Sequence, residues 1–216
     1  MFITFEGLDG SGKTTILEKL VQYFKKNYPK MNLIITREPG GQNLKEAEKI
    51  RDIILDKESD LSPVAEAMLY STSRRIHLEK VIWPAIKNGE LVLCDRYIDS
   101  FYAYQGFARN LGYKFVKTLT NLIIDNAIPD ITIFFEITPE KSKERRDRTR
   151  LVQDRLDNEN MDFHYKVYNG YKQLIQEDPK RFIIIDGSLS LEKVCANVVE
   201  KLNQNQKFLD FVQKYK

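Results

Sequence analysis

The chain has 216 residues, enough for one compact domain with a sizeable core. Hydrophobic residues make up 42% and charged residues 30%, and a formal net charge of +3 is too small to indicate a nucleic-acid binder. No apolar run reaches the roughly 20 residues that span a bilayer, and no Cys or His spacing suits a metal, so Cys94 and Cys195 are expected as buried, reduced thiols.

The opening Met-Phe-Ile-Thr-Phe run is strand-like and not a signal sequence, and a cytoplasmic location is expected. Phe2 to Phe5 reads as a buried strand. Thr14 to Lys26 reads as a helix with Ile16, Leu17, Leu20, Val21 and Phe24 on one face. Leu33 to Thr36 is a second strand and Leu44 to Leu55 a second helix. Ser62-Pro63 starts a helix that the pattern carries to about Lys87, with Asn88-Gly89 as its stop. Leu91 to Cys94 is a third strand. Helical patterns follow over Tyr97 to Ala108 and Phe115 to Ala127. Ile131 to Ile137 is a fourth strand, and Thr138-Pro139 opens another helix. A polar, arginine-rich stretch runs from Glu144 to Glu159, then a helix from Met161 to Gln176. Phe182 to Ile185 is the fifth strand and Leu191 to Leu202 the last clear helix. The tail from Lys207 reads as a docked short helix or a frayed end. Strands alternating with helices imply an α/β fold with a five-stranded, mainly parallel sheet between helical layers. Ligands then bind beyond the C-terminal strand ends.

Gly7-Leu8-Asp9-Gly10-Ser11-Gly12-Lys13-Thr14 satisfies G-x-x-x-x-G-K-[ST] between the first strand and the first helix. Such a loop turns successive backbone N–H groups toward phosphate oxygens and adds the positive end of a helix. Lys13 is expected at the β- and γ-phosphates of a nucleoside triphosphate and the Thr14 hydroxyl at Mg²⁺. The pattern alone does not separate a kinase from a switch GTPase, although no Asn-Lys-x-Asp guanine reader is present. Arg37 and Arg96 end strands two and three on the same side. Guanidinium groups there suit a second phosphate, and Asp95 stands where a carboxylate near the metal is expected.

Phe5-Glu6-Gly7 through Lys13-Thr14-Thr15, Thr36-Arg37-Glu38-Pro39-Gly40-Gly41, Asp95-Arg96-Tyr97 and Ala103-Tyr104-Gln105-Gly106 together resemble the thymidylate kinase family over nearly the whole chain. The resemblance implies a P-loop kinase fold, a single domain over 1–216 and transfer from Mg·ATP to dTMP. It implies that Asp9 meets the sugar 3′-hydroxyl or the acceptor phosphate network, and that Arg37 and Arg96 hold that phosphate. It further implies that Tyr70 stacks on thymine, that Arg74 bonds a thymine carbonyl, and that Ser100, Tyr104 and Gln105 complete the pocket. A homodimer is implied as well. Without the resemblance, Tyr70 at helical spacing reads as core, and Arg74 as part of a solvated face.

The stretch 144–159 reads from composition as a solvated helix end laced with ion pairs. The resemblance makes it a mobile lid instead. Gly10 stands where some members carry an arginine in the phosphate loop, so the catalytic arginine is expected in the lid. Arg148 and Arg150 are the candidates, with Arg146 stacking on adenine, and Arg155 and Glu159 matching the segment beyond the lid.

Overall fold

The computed structural model describes residues 1–41, 43–149, 155 and 159–215, apart from the side chain of Thr149. Five strands, β1 (Phe2–Gly7), β2 (Leu33–Arg37), β3 (Leu91–Asp95), β4 (Ile131–Glu136) and β5 (Phe182–Asp186), form one sheet in the order β2-β3-β1-β4-β5, with every pairing parallel. The side-chain alternation of a strand explains the two cores. Phe2, Val92 and Phe134 face one layer, while Ile3, Phe5, Leu93 and Phe135 face the other. The second layer is closed by α1 (Lys13–Asn27), whose Ile16, Leu17, Leu20, Val21 and Phe24 are buried as the sequence pattern requires.

Between β2 and β3 lie α2 (Lys45–Leu55), α3 (Pro63–His77) and α4 (Trp83–Lys87), and between β3 and β4 lie α5 (Ile98–Phe101) and α6 (Tyr113–Ile124). After β4 come α7 (Pro139–Thr149) and α8 (Met161–Glu177), and after β5 come α9 (Leu191–Leu202) and α10 (Gln206–Val212). The Ser62 side chain accepts from the Ala65 N–H and caps α3, with Pro63 in its first turn. Two expected helices are interrupted. The run to Lys87 passes through a π-helical segment at Leu78–Ile82 before α4, and α5 continues as a π-helix over Tyr102–Ala108. Period-3.6 patterns do not register such single-turn widenings, which often mark functional sites. The end of α6 also falls earlier than expected, because Asp125 and Asn126 take positive φ values of 42° and 63°. Cys94 is buried, whereas Cys195 is only half-buried. The tail is docked: Phe208 and Val212 of α10 are fully buried against α1.

All strands end on one side, so β1, β2 and β3 deliver their next residues to a common crevice. A buried ion pair fixes the opposite flank. Asp99 is fully buried, and Arg181 contacts both of its carboxylate oxygens at 2.7 and 2.8 Å. Removing one partner of such a pair strands the other charge. Arg181→Met should therefore lower folding stability by about 3–5 kcal/mol, read as a drop in the urea midpoint; an unchanged midpoint would show that water reaches Asp99.

Candidate active site

The loop after β1 curls as its glycines allow. A Cβ on Gly7 (φ 141°) would stand 2.7 Å from the Phe135 carbonyl oxygen, so only glycine fits there. Gly10 (φ 77°) is pressed by α7, and a Cβ would lie 2.9 Å from the Ser142 carbonyl oxygen and 3.2 Å from Arg146. The Ser142 hydroxyl donates to the Asp9 carbonyl at 2.6 Å, fastening α7 to this loop. Lys13 folds back into the loop and donates to the Gly7 and Leu8 carbonyls at 3.2 and 3.0 Å. Burial, followed by the charge of Arg96, lowers the Lys13 pKa to about 8. The Thr14 hydroxyl donates to Asp95 Oδ2 at 2.6 Å, and the other Asp95 oxygen is buried without a hydrogen bond.

Arg96 leaves β3 in the left-handed region, φ 67°, a conformation that costs an arginine roughly 1–2 kcal/mol. Its backbone N–H donates to the Phe5 carbonyl at 3.0 Å. Its guanidinium gives one nitrogen to Asp9 Oδ1 at 2.9 Å and the other to Ser100 Oγ at 2.9 Å. Its charged carbon also lies 5.2 Å from the Tyr104 ring centroid. Behind it stands Glu6, fully buried within β1. Glu6 accepts from the Tyr97 N–H at 2.7 Å, the Ser100 hydroxyl at 2.5 Å and the Tyr171 hydroxyl at 2.9 Å. Burial, with the Asp99 charge adding to it, pushes the Glu6 carboxyl up to about 7.

Arg37 ends β2. It donates to Glu48 Oε2 at 2.7 Å and to the Pro39 carbonyl at 3.2 Å. The preceding peptide, Glu38-Pro39, is cis. Arg74 is 2% exposed: Glu38 takes its Nε at 2.8 Å, and its Nη1 has no hydrogen-bond partner. Gln105 Nε2 donates to Glu66 at 2.9 Å, and its buried Oε1 likewise has no partner.

One cavity joins these groups. Asp9, Lys13, Thr14, Arg37, Tyr70, Arg74, Asp95, Arg96, Ser100, Tyr104 and Gln105 all line it, so residues from four separate loops and helices converge. Tyr70 is half-buried, its ring centroid 6.1 Å from that of Phe101. Other expectations shift. Ser100 spends its hydroxyl between Arg96 and Glu6, so it orients the arginine as well as lining the wall. Arg146 is buried beside Gly10, with Nη2 3.3 Å from His164 Nε2, and does not line the cavity. Arg148 is 75% exposed on α7, paired with Glu144 at 2.7 Å, and does not line it either. Arg150 and half of the expected lid lie outside the described residues, while α7 already covers 144–149.

Three residues escaped the sequence reading. Arg51 lines the cavity from α2, three residues after Glu48 and so on the same face, and its Nη1 donates to the Pro39 carbonyl at 2.8 Å. Glu6 was readable in principle as a charge inside an apolar strand. Tyr171 carries no local signal, because 165 residues separate it from Glu6.

The sequence model of a family described as thymidylate kinase matches residues 5–198. The chain is 61% identical over 208 residues to the thymidylate kinase of Mycoplasmopsis agalactiae, covering 96% of this chain and 97% of that one. It is 46% identical over 200 residues to the thymidylate kinase of Thermoanaerobacter pseudethanolicus, covering 92% and 95%. Its fold is similar to the crystal structure of thymidylate kinase from Ehrlichia chaffeensis, with a TM-score of 0.75 and 31% identity over 94% of this chain and 98% of that one.

Glu6 has a thermodynamic signature. Its folded-state pKa lies above the unfolded value, so between 4.5 and about 7 the folded protein holds a proton that the unfolded chain has released. The stability this group contributes is therefore present below pH 4.5 and lost as pH rises toward 7. In Glu6→Gln that segment of the stability–pH curve should flatten relative to wild type, as measured by urea unfolding at successive pH values. Parallel curves for the two proteins would place an ordinary, ionised carboxylate at Glu6.

Proposed function

The chain belongs to the thymidylate kinase family, and from that premise we propose how its residues move the γ-phosphoryl group of ATP onto dTMP. The reaction makes dTDP and ADP. A phosphate oxygen of dTMP attacks the γ-phosphorus in line, the bond to the β-phosphate oxygen breaks, and ADP carries off the electron pair. The acceptor phosphate is already ionised, so no strong general base is needed. Catalysis falls to positioning and to charge placed where the transferring group needs it.

The observation that carries this reading is that Lys13, Arg37 and Arg96, from three strand ends, line one cavity. In the proposal, the loop 7–15 and Lys13 hold the ATP phosphates, with the helix N-terminus behind them. Arg37 and Arg96 seat the acceptor phosphate, exchanging carboxylate partners for phosphate oxygens. Asp9, which already binds Arg96, meets the sugar or the acceptor phosphate network. Tyr70 and Phe101 face the base, with the unpaired Arg74 Nη1 and Gln105 Oε1 as its donor and acceptor. Tyr104 crowds the sugar 2′ position and favours deoxyribose.

Mg²⁺ fits the donor set. The Thr14 hydroxyl and Asp95, which has one buried oxygen without a partner, are hard oxygen ligands. Magnesium is commonly held by one or two carboxylates plus phosphate and water. When bound, the ion would neutralise charge on the β- and γ-phosphates.

The proposal also makes 144–159 a lid over a single domain, with Arg148 or Arg150 supplying a cation on closure and Arg146 near adenine. The Ser142 contact to the phosphate loop supports a hinge at α7. A homodimer is supported by exposed apolar side chains on adjacent helices: Ile53 on α2, Val64 and Met68 on α3, and Phe115 and Leu122 on α6. No described helix is long and apolar enough to cross a membrane, and a cytoplasmic location, where ATP is supplied, completes the proposal.

Two outcomes test this. In an ADP-release assay with dTMP, dUMP, UMP, dCMP and GMP, dTMP should give the highest kcat/KM; equal ADP release without any acceptor would contradict transfer. Lys13→Ala should lower kcat by roughly 10²–10³-fold while the protein stays folded, and near wild-type turnover would remove Lys13 from the chemistry. For the dimer, Leu122→Asp should shift the sedimentation coefficient toward that of a monomer; no shift would place the interface elsewhere.

A further inference from the structure

Gln105 is chemically ambiguous. Its amide has a carbonyl acceptor at one end and an NH₂ donor at the other, and half a turn exchanges them. Which end meets the base decides which base fits. We propose that Glu66 is a positioning residue that turns the Gln105 carbonyl into the cavity, so that the pocket accepts a pyrimidine with a proton on N3 and rejects one with a lone pair there. The inference rests on the base pocket proposed above.

Glu66 lies on α3 and is 1% exposed, so its oxygens must find partners within the protein. They are divided. Oε2 lies 2.7 Å from Arg155 Nη2 and 3.7 Å from Arg109 Nε. Both cations are themselves anchored. Arg155 Nε donates to the Ile54 carbonyl at 3.1 Å, and Arg109 pairs with Glu159 at 2.6 Å while lying over the Phe163 ring. Oε1 is left for Gln105, 2.9 Å away. A carboxylate flanked by guanidinium groups accepts only. The flipped amide would set two acceptor oxygens against each other in a buried space with no proton between them, so the NH₂ must face Glu66. Gln105 Oε1, buried and unpartnered, is then the atom available to a ligand.

Arg74 needs no such control, because a guanidinium only donates. Its unpartnered Nη1 and Gln105 Oε1 together present one donor and one acceptor. Thymine offers O4 as acceptor and N3–H as donor, a complement to both. Cytosine offers an N4 amino donor and an N3 acceptor, the reverse of both. Uracil shares the thymine pattern. Glu66 therefore governs N3 selectivity and has no influence on the 5-methyl group.

The test is Glu66→Gln, whose side chain can donate as well as accept and so frees Gln105 to turn. The dTMP/dCMP ratio of kcat/KM should fall by roughly tenfold or more, while the dTMP/dUMP ratio stays at the wild-type value. In a Gln105→Ala background the same change should leave the dTMP/dCMP ratio where Gln105→Ala put it. Should Glu66→Gln fail to fold, Glu66→Asp keeps the charge opposite Arg155 while withdrawing from Gln105, and it should also lower the dTMP/dCMP ratio. An unchanged dTMP/dCMP ratio in the folded variant, or an equal loss for all three acceptors, overturns the proposal. The two readings fail separately. If Gln105→Ala leaves both the dTMP KM and the ratio untouched, the base pocket itself is misplaced. If Gln105→Ala lowers the ratio and the folded Glu66 variant does not, only the role of Glu66 is lost.

Discussion

A guanidinium held between two neighbouring strand ends is what the site is built around. Arg96 follows β3 and Asp9 follows β1, and their 2.9 Å contact joins the loop proposed for the donor phosphates to the seat proposed for the acceptor phosphate. The backbone of Arg96 is bent into the left-handed region to reach there. Fixed contacts on every side hold that bend: the Phe5 carbonyl, the Ser100 and Tyr171 hydroxyls, and through them the buried Glu6. A strained arginine persists only where its surroundings over-determine it, and such residues concentrate at functional sites.

The charges around the cavity are balanced within the protein. Asp9 answers Arg96 and Glu48 answers Arg37, while Lys13 turns to two backbone carbonyls. A phosphate oxygen can take the place of each of these partners, and at Lys13 it would replace two neutral carbonyls with a charged acceptor. The cavity can thus hold several cations close together without a large cost in its free state. Burial, and after it the nearby Arg96 charge, lowers the Lys13 pKa. A nucleotide arriving with several negative charges meets donors that are already aimed, so little reorganisation is left for the reacting step.

The strands, their mainly parallel sense and the phosphate loop were legible because they follow from local rules: apolar runs, glycines at fixed offsets, and a lysine opening a helix. Arg37 and Arg96 were legible because a charge at a strand's C-terminal end has one crevice to face. Tyr70 and Arg74 were not readable from periodicity, which makes them core and solvated face; only the resemblance to a family placed them. The π-helical segments escaped because they widen a helix without changing its composition. Tyr171 and Glu66 escaped for a different reason. Their meaning lies in long-range pairings, such as Glu66 with Arg155 and Glu6 with Tyr171, that no sequence window contains.

In the proposed reaction, donor and acceptor phosphates share one cavity bounded by Lys13, Arg37 and Arg96. Calorimetric titration with thymidine and adenosine joined 5′ to 5′ through a pentaphosphate tests it directly. Because a single molecule would then fill both seats, its affinity should exceed that of either dTMP or ATP by orders of magnitude, as effective concentration predicts. A dissociation constant no tighter than that of the better single nucleotide would mean that the two seats do not adjoin.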